Sequence, residues 1–344
     1  MSDTIPSKQE LAYQQDRSDI IRANIKRFYI YFVLALVVVV FSVVRLDEVS
    51  WFERGHFLNP NNIINLLRIA VPIITVSGAF TFLMIAEYID LSIGSTMSLA
   101  SVIFAWMILN GFSFPVAAVV TIFAGLIMGT INGLLVMKLN ITPVIATLIT
   151  LSLYQGIALL IVPDGTSAIK SIGEQTMPAW INNYAREDVL FGLPMAFFVG
   201  IAIVIVLIVL QRRTVIGKYS AAIGGNKTAA ELSGINPVYW VSILYIIVGI
   251  SAAMAGMARA SYMSLGDPLS SQGMELWVII AVLLGGTKFT GGEGQVEKTI
   301  IGAIIIIVVT VGMLTVIPAY WQTFALGAVL LIAVVINYQL VGES

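Results

Sequence analysis

The chain has 344 residues, 58% of them apolar and only 11% charged, with a net charge of −1. Soluble domains carry about 25% charged residues, so most of this surface faces something other than water, and the chain reads as an integral membrane protein. The near-neutral balance excludes a nucleic-acid partner, the lack of cysteine excludes disulfides and thiolate chemistry, and a lone His56 builds no histidine metal centre by itself.

Residues 1–27 form a polar tail of mixed charge, followed by an uncharged run from Phe28 to Val44. The flank Arg45-Leu46-Asp47-Glu48 lacks the small residues of a cleavage site. The run is therefore expected to be a retained first helix with a cytoplasmic amino terminus. Further uncharged stretches recur along the chain, and a span needs about 20 residues. The spacing predicts helices at 28–46, 62–88, 93–110, 114–137, 142–162, 193–211, 238–262, 273–287, 298–316 and 320–338. The expected fold is an all-α polytopic bundle of about ten transmembrane spans occupying 28–340, with both termini cytoplasmic. On that threading twelve of the eighteen Lys and Arg fall inside, as the positive-inside rule requires. The short stretch Met274–Gly285 is the weakest span and fits a re-entrant segment as well.

Two connections are long. Residues 164–190, expected to be periplasmic, mix Gly, Pro, Trp and charge. Residues 212–237 form an expected cytoplasmic loop in which Asn226 is an N-cap, Lys227–Ser233 a short helix and Gly234 its left-handed terminator, with Pro237 opening the next span. A capped two-turn helix on that face is a lever for a partner protein.

Gly125, Gly129 and Gly133 recur every fourth residue on one helix beside Asn132, and Ser251–Gly256 supplies a second run of small residues. Both predict close helix packing rather than a wide pore. The run Gly285 to Gly294 lacks the spacing of a P-loop and reads as a glycine-rich turn; the chain is not expected to hydrolyse ATP. Charge near membrane depth is confined to Glu87, Asp90, Arg259, Asp267 and Glu275, all close to predicted span ends and within reach of water. Asp90 or Ser92 is expected to cap the following helix or to line a pathway. Uncharged candidates for contact with a neutral solute are Asn65, Asn132, Thr147, Ser152, Tyr154 and Gln155, with interhelical bonding as their plainer role. No nucleophile triad, paired-carboxylate site or zinc motif occurs, so the chain is not expected to be an enzyme.

Four stretches resemble ribose-type sugar ABC transporter permeases of the branched-chain amino acid/ribose permease superfamily. They are Ile89-Asp-Leu-Ser-Ile-Gly-Ser95, Asn140-Ile-Thr-Pro-Val-Ile-Ala-Thr-Leu148, Gly217 to Ile235, and Ala281 to Gly294, standing in family order. Tyr88 stands where the family usually has glycine, and Glu293 where it often has a basic residue. The resemblance implies an importer subunit for a monosaccharide or related polyol, placed in the bacterial inner membrane and paired with a second permease copy or close paralogue. A cytoplasmic ATP-binding subunit would hold the ATP and Mg, and a periplasmic solute-binding protein would deliver the sugar; this chain itself would carry no cofactor. The family's coupling helix falls on Asn226, Lys227, Ala229, Ala230, Gly234 and Ile235. The rivals are an ion-coupled secondary transporter, which would place carboxylates or unwound backbone at the midplane, and a passive channel, which the glycine seam disfavours.

Overall fold

The computed structural model describes residues 30–42, 57–162, 168–172 and 175–316, with isolated positions between 321 and 331. The predicted tail 1–27, His56 and most of the predicted span 320–338 lie outside the described residues, as do 163–167 and 173–174 of the long connection. In chain order the helices are α1 (Ile30–Ser42), α2 (Pro60–Ile85), α3 (Ile93–Leu109), α4 (Phe114–Met137), α5 (Pro143–Ile161), α6 (Ile181–Ala185), α7 (Met195–Arg213), α8 (Val215–Gly225), α9 (Lys227–Leu232), α10 (Pro237–Met263), α11 (Met274–Leu284) and α12 (Val296–Val316). A two-stranded hairpin, β1 (Ser171–Ile172) with β2 (Gln175–Thr176), precedes α6.

Local chemistry sets the helix starts. Asn59 caps α2 through Asn61 N at 2.9 Å, Asn226 caps α9 through Ala229 N at 2.9 Å, and Asn236 caps α10 through Tyr239 N at 3.2 Å. Each accepts a bond that the first turn of a helix otherwise leaves unmade. Proline follows in the first turn of α2, α4, α5 and α10, where its missing N–H costs nothing.

Among the described residues, six helices are long and apolar enough to cross a membrane: α2, α4, α5, α7, α10 and α12. The chain is a helical membrane bundle. Among the described residues, α1, α3 and α11 are shorter apolar helices. The third and eighth predicted spans correspond to α3 and α11, and α11 is the large departure. At 11 residues it is about 16 Å long, half of a ~30 Å hydrocarbon core.

Helices α2, α3 and α10 form the buried centre, while α4, α5 and α7 keep apolar faces exposed, including Val119, Leu153 and Val206. Such faces suit lipid or a further membrane-embedded chain. The predicted glycine seam is where α4 crosses α10. A Cβ on Gly125 would lie 2.5 Å from the Ala253 side chain, one on Gly129 would lie 2.8 Å from the Ile246 Cα, and one on Gly133 would lie 3.0 Å from the Ser242 Cα. Gly249 answers from α10, where a Cβ would stand 2.9 Å from the Gly129 Cα. Gly256 does the same for α10 against α3, facing Met97 and Ala100. Without side chains at these positions the backbones touch, and dispersion between them replaces the hydrophobic driving force that lipid cannot supply.

Candidate functional site

Three features stand out: a buried polar network, a broken span and a glycine junction. The network lies at the turn between α2 and α3. Asp90 Oδ1 accepts from Ser92 N at 2.8 Å and from Ser92 Oγ at 2.6 Å. Across the helix boundary Asn132 Nδ2, on α4, donates to Asp90 Oδ2 at 3.1 Å and to Ser92 Oγ at 2.8 Å. Tyr154 OH, on α5, reaches Asn132 Oδ1 at 3.4 Å and donates to the Met128 carbonyl at 2.9 Å. Tyr245 OH closes the other side on the Ile89 carbonyl at 3.0 Å.

This differs from the sequence reading in two respects. Asp90 is only 2% exposed, so it does not reach water; α4 and α10 close over the turn. Nor does either residue cap α3 with its side chain. Ser92 holds the N-cap position with a helical backbone (φ −83°, ψ 0°), and its hydroxyl turns back to Asp90 rather than forward to the first helical N–H groups. Asp90, Ser92, Asn132 and Tyr154 thus come together, yet as an enclosed knot of interhelical bonds. Thr147 stays apart, buried and bonded to its own helix at the Pro143 carbonyl, 2.8 Å. Asn65, half-buried, accepts from Tyr262 OH at 3.2 Å near the α6 end of the bundle. Ser152 is exposed.

The broken span runs from Leu265 to Gly273, ahead of α11. Backbone polar groups taken out of helix must find other partners, and here the protein supplies them. Gly266 exchanges two bonds with Ile169 at 2.7 and 2.9 Å. Ser101 Oγ reaches the Asp267 carbonyl at 3.3 Å, Gln155 Nε2 donates to the Pro268 carbonyl at 2.6 Å, and Arg259 donates to the Ser270 carbonyl. Ser98 Oγ accepts from Ser271 N at 3.1 Å. Side chains from α3, α5 and α10 therefore replace the missing helical turns. The sequence reading named Gln155 and Arg259 without this purpose and missed Ser98 and Ser101. The available signal was the hydroxyl pair Ser98 and Ser101, about one turn apart on α3.

At the end of the bundle that carries α9, three backbones meet. A Cβ on Gly224, at the last turn of α8, would collide with Ile85 O and lie 2.7 Å from Gly292 N. Gly292 N donates to Ile85 O at 2.8 Å. The glycine-rich turn after α11 makes this possible, since Gly292 has φ +80°, and Lys288 Nζ and Glu293 Oε2 pair at 3.2 Å across the turn. Gln211 fastens the far side through Gly294 O at 3.0 Å and Val296 N at 2.8 Å. A cleft of about 640 Å³ opens beside the junction, lined by Arg212, Gly217, Glu293 and Lys298 among others. From the junction α9 projects as expected: Asn226 caps it, Gly234 ends it at φ +84°, Ala230 packs into the core, and Leu232 is 85% exposed. Gly224→Ala is expected to lower stability by about 1–3 kcal/mol, because the methyl must displace backbone rather than a side chain. Thermal melting of the purified variant checks this against Gly156→Ala, which meets nothing within 4 Å and should melt at or above the parent temperature.

A helical membrane bundle with a helix broken ahead of α11 is an architecture found among solute permeases. The family model described as branched-chain amino acid transport system / permease component matches residues 62–334, and the chain belongs to that family. It is similar to the ribose import permease of Bacillus subtilis, 33% identical over 286 residues, covering 82% of this chain and 86% of the relative. The D-allose transport permease of Escherichia coli is 28% identical over 310 residues, covering 89% and 90%. The L-arabinose ABC transporter permease of Azospirillum brasilense is 32% identical over 291 residues, covering 82% and 81%. These relatives bear out the resemblance to ribose-type permeases read from the four motifs. No solved structure matches the chain.

Proposed function

We propose that this chain is the membrane-spanning subunit of an ATP-driven importer for a simple sugar or sugar-like solute. The relatives named for ribose, allose and arabinose transport support the solute class. The observation that carries the coupling is α9, a capped helix anchored by Ala230 and presenting Leu232 to a partner. In this reading the chain threads the bacterial inner membrane ten times with both termini in the cytoplasm, and α9 is the coupling helix. A second permease copy completes the path, a cytoplasmic ATP-binding subunit holds ATP and Mg, and a periplasmic binding protein delivers the sugar. Closure of the ATPase pair pushes α9. The junction of Gly224, Ile85 and Gly292 passes that push to α2 and the Asp90 turn, shifting the bundle between inward- and outward-open states.

Of the pathway candidates, Asp90, Ser92, Asn132, Thr147 and Tyr154 are enclosed by helices of this chain and hold its turn and spans in place. Asn65 and Gln155 remain at accessible surface and stay in the path.

Uptake of radiolabelled D-ribose, D-allose, L-arabinose and D-fructose into proteoliposomes holding the chain with its cognate ATPase and binding protein tests the reading. ATP-dependent uptake of at least one sugar is expected; uptake driven by an ion gradient without the ATPase would refute it. Leu232→Arg is expected to abolish ATP-stimulated uptake while the subunit stays in the membrane, since it alters the exposed face of α9 and nothing in the core. Gly234→Pro should act in the same direction by removing both the left-handed turn and the N–H that Glu231 O accepts at 3.0 Å.

A further inference from the structure

Glu275 occupies an unusual place. It lies in the first turn of α11, whose far end is level with α12, where Gly285 packs on Thr299 and Gly302 on Ala281. The helix is about 16 Å long, so the acid sits roughly midway through the ~30 Å core. Its carboxylate rests on Gly94, in the first turn of α3, at a position where any Cβ would collide with it. Among the described residues no Lys or Arg pairs with it. Glu275 is half-buried, and its neighbours Leu269, Gln272 and Leu276 are exposed on the surface of this chain. Gln155 ties α5 to the same break at Pro268, and the exposed Ser152 lies one turn away from it.

An ionisable group at the bilayer centre costs about 2.5–3.5 kcal/mol on insertion scales, so such groups face protein or a water-filled cavity. A half-exposed carboxylate at this depth therefore marks a face that lipid does not cover in the assembled protein. The carboxylate accepts from the Gly273 and Glu275 N–H groups at the start of α11 and keeps lone pairs for further donors. A carboxylate offers two oxygens to adjacent hydroxyls, and charge-assisted bonds of that kind are roughly twice as strong as neutral ones. A polyhydroxylated neutral solute supplies that pattern of donors.

We propose that Glu275 contacts the hydroxyl groups of the transported sugar, on a watery path whose wall in this chain is the Leu265–Gly273 break, the first turn of α11 and the Gln155 edge of α5. This rests on the importer reading and names the residue that grips the solute. The native chain contains no cysteine, so single introduced cysteines report accessibility directly. In the full transporter in proteoliposomes, Gln272→Cys and Leu276→Cys are expected to react with a membrane-impermeant methanethiosulfonate at least about tenfold faster than Val119→Cys, on the exposed apolar face of α4. Equal inertness of all three would place this face against lipid and overturn the proposal. Glu275→Gln is expected to raise KM for the best-transported sugar by about tenfold with little change in kcat, and Glu275→Asp to recover part of the loss. An unchanged KM in Glu275→Gln would also overturn it. If Glu275→Gln fails to assemble, the Leu276→Cys result, obtained with the acid in place, decides. Lack of uptake by the unmutated transporter would count against the importer reading instead, and the labelling pattern would still be read.

Discussion

Gly129→Leu is expected to leave little folded protein. The substitution places a branched side chain where the Tyr245 carbonyl and the Ile246 Cα already lie against the α4 backbone. Overpacking a tight core typically costs 1–3 kcal/mol. Here the obstacle is the backbone of α10, which cannot move to another rotamer, so the cost is expected at the upper end, about 3 kcal/mol or more. Separation at Gly129 also opens the contacts at Gly125, Gly133 and Gly249 on the same crossing, and small-residue packing is the main source of helix affinity in lipid. Membrane abundance and thermal melting in detergent check the result. Gly156→Leu on α5, facing open space, serves as the control and should behave as the parent does. A Gly129→Leu chain that accumulates and melts normally would show that α4 and α10 are not held by this seam.

Asp90→Ala is the second large effect. It removes the acceptor for Ser92 N, Ser92 Oγ and Asn132 Nδ2, all in a region closed to water. A buried donor left unsatisfied costs about 1–3 kcal/mol. Asn132 keeps its bond to Ser92 Oγ, so part of the network survives, and a loss at the upper end of that range, about 3 kcal/mol, is expected. Transport should fall with stability, because the α2–α3 turn then loses one of its two side-chain bonds to Asn132 on α4. Asp90→Asn retains one acceptor for Ser92 but sets an amide NH2 against that of Asn132. Turning the Asn132 amide over relieves this only by giving up its donation to Ser92 Oγ. An intermediate loss is expected for Asp90→Asn. A double-mutant cycle between Asp90 and Asn132, read by thermal melting, should give a coupling within the range of about 0.5–3 kcal/mol found for bonded pairs. Additive single mutants would show that the two side chains do not act together.

How much of this was legible beforehand depends on whether the signal was local. Helix starts were written into short motifs. Asn226 with Gly234, and Pro237, place the limits of α9 and the start of α10 to within a residue, because a cap and its first turn are adjacent in sequence. The spacing of Gly125, Gly129 and Gly133 likewise announced a close crossing, although not that its partner would be Ser242 to Ala253. Asp90 was recognised as unusual, but its burial depends on Asn132 and Tyr245, distant in sequence, folding over it. Local reading therefore gave it a cap and access to water. The break before α11 was hardest to see. Its residues look like an ordinary loop, and only Ser98, Ser101, Gln155 and Arg259 on three other helices allow that loop to lie inside the bundle.

The meeting of Ile85, Gly224 and Gly292 bears on the order in which the molecule is made. The amino-terminal partner is synthesised first, α8 and α9 follow much later, and the glycine-rich turn that locks them emerges only after α11 has been translated. Chains fold progressively from the amino terminus as they are made, so α9 first rests on the core contact of Ala230 and gains the Gly292 backing later. A subunit truncated before Gly292 would keep the first support and lack the second. In the importer reading proposed above, this later contact would give a partner docking on α9 a firmer surface on a chain made past Gly292 than on a shorter one.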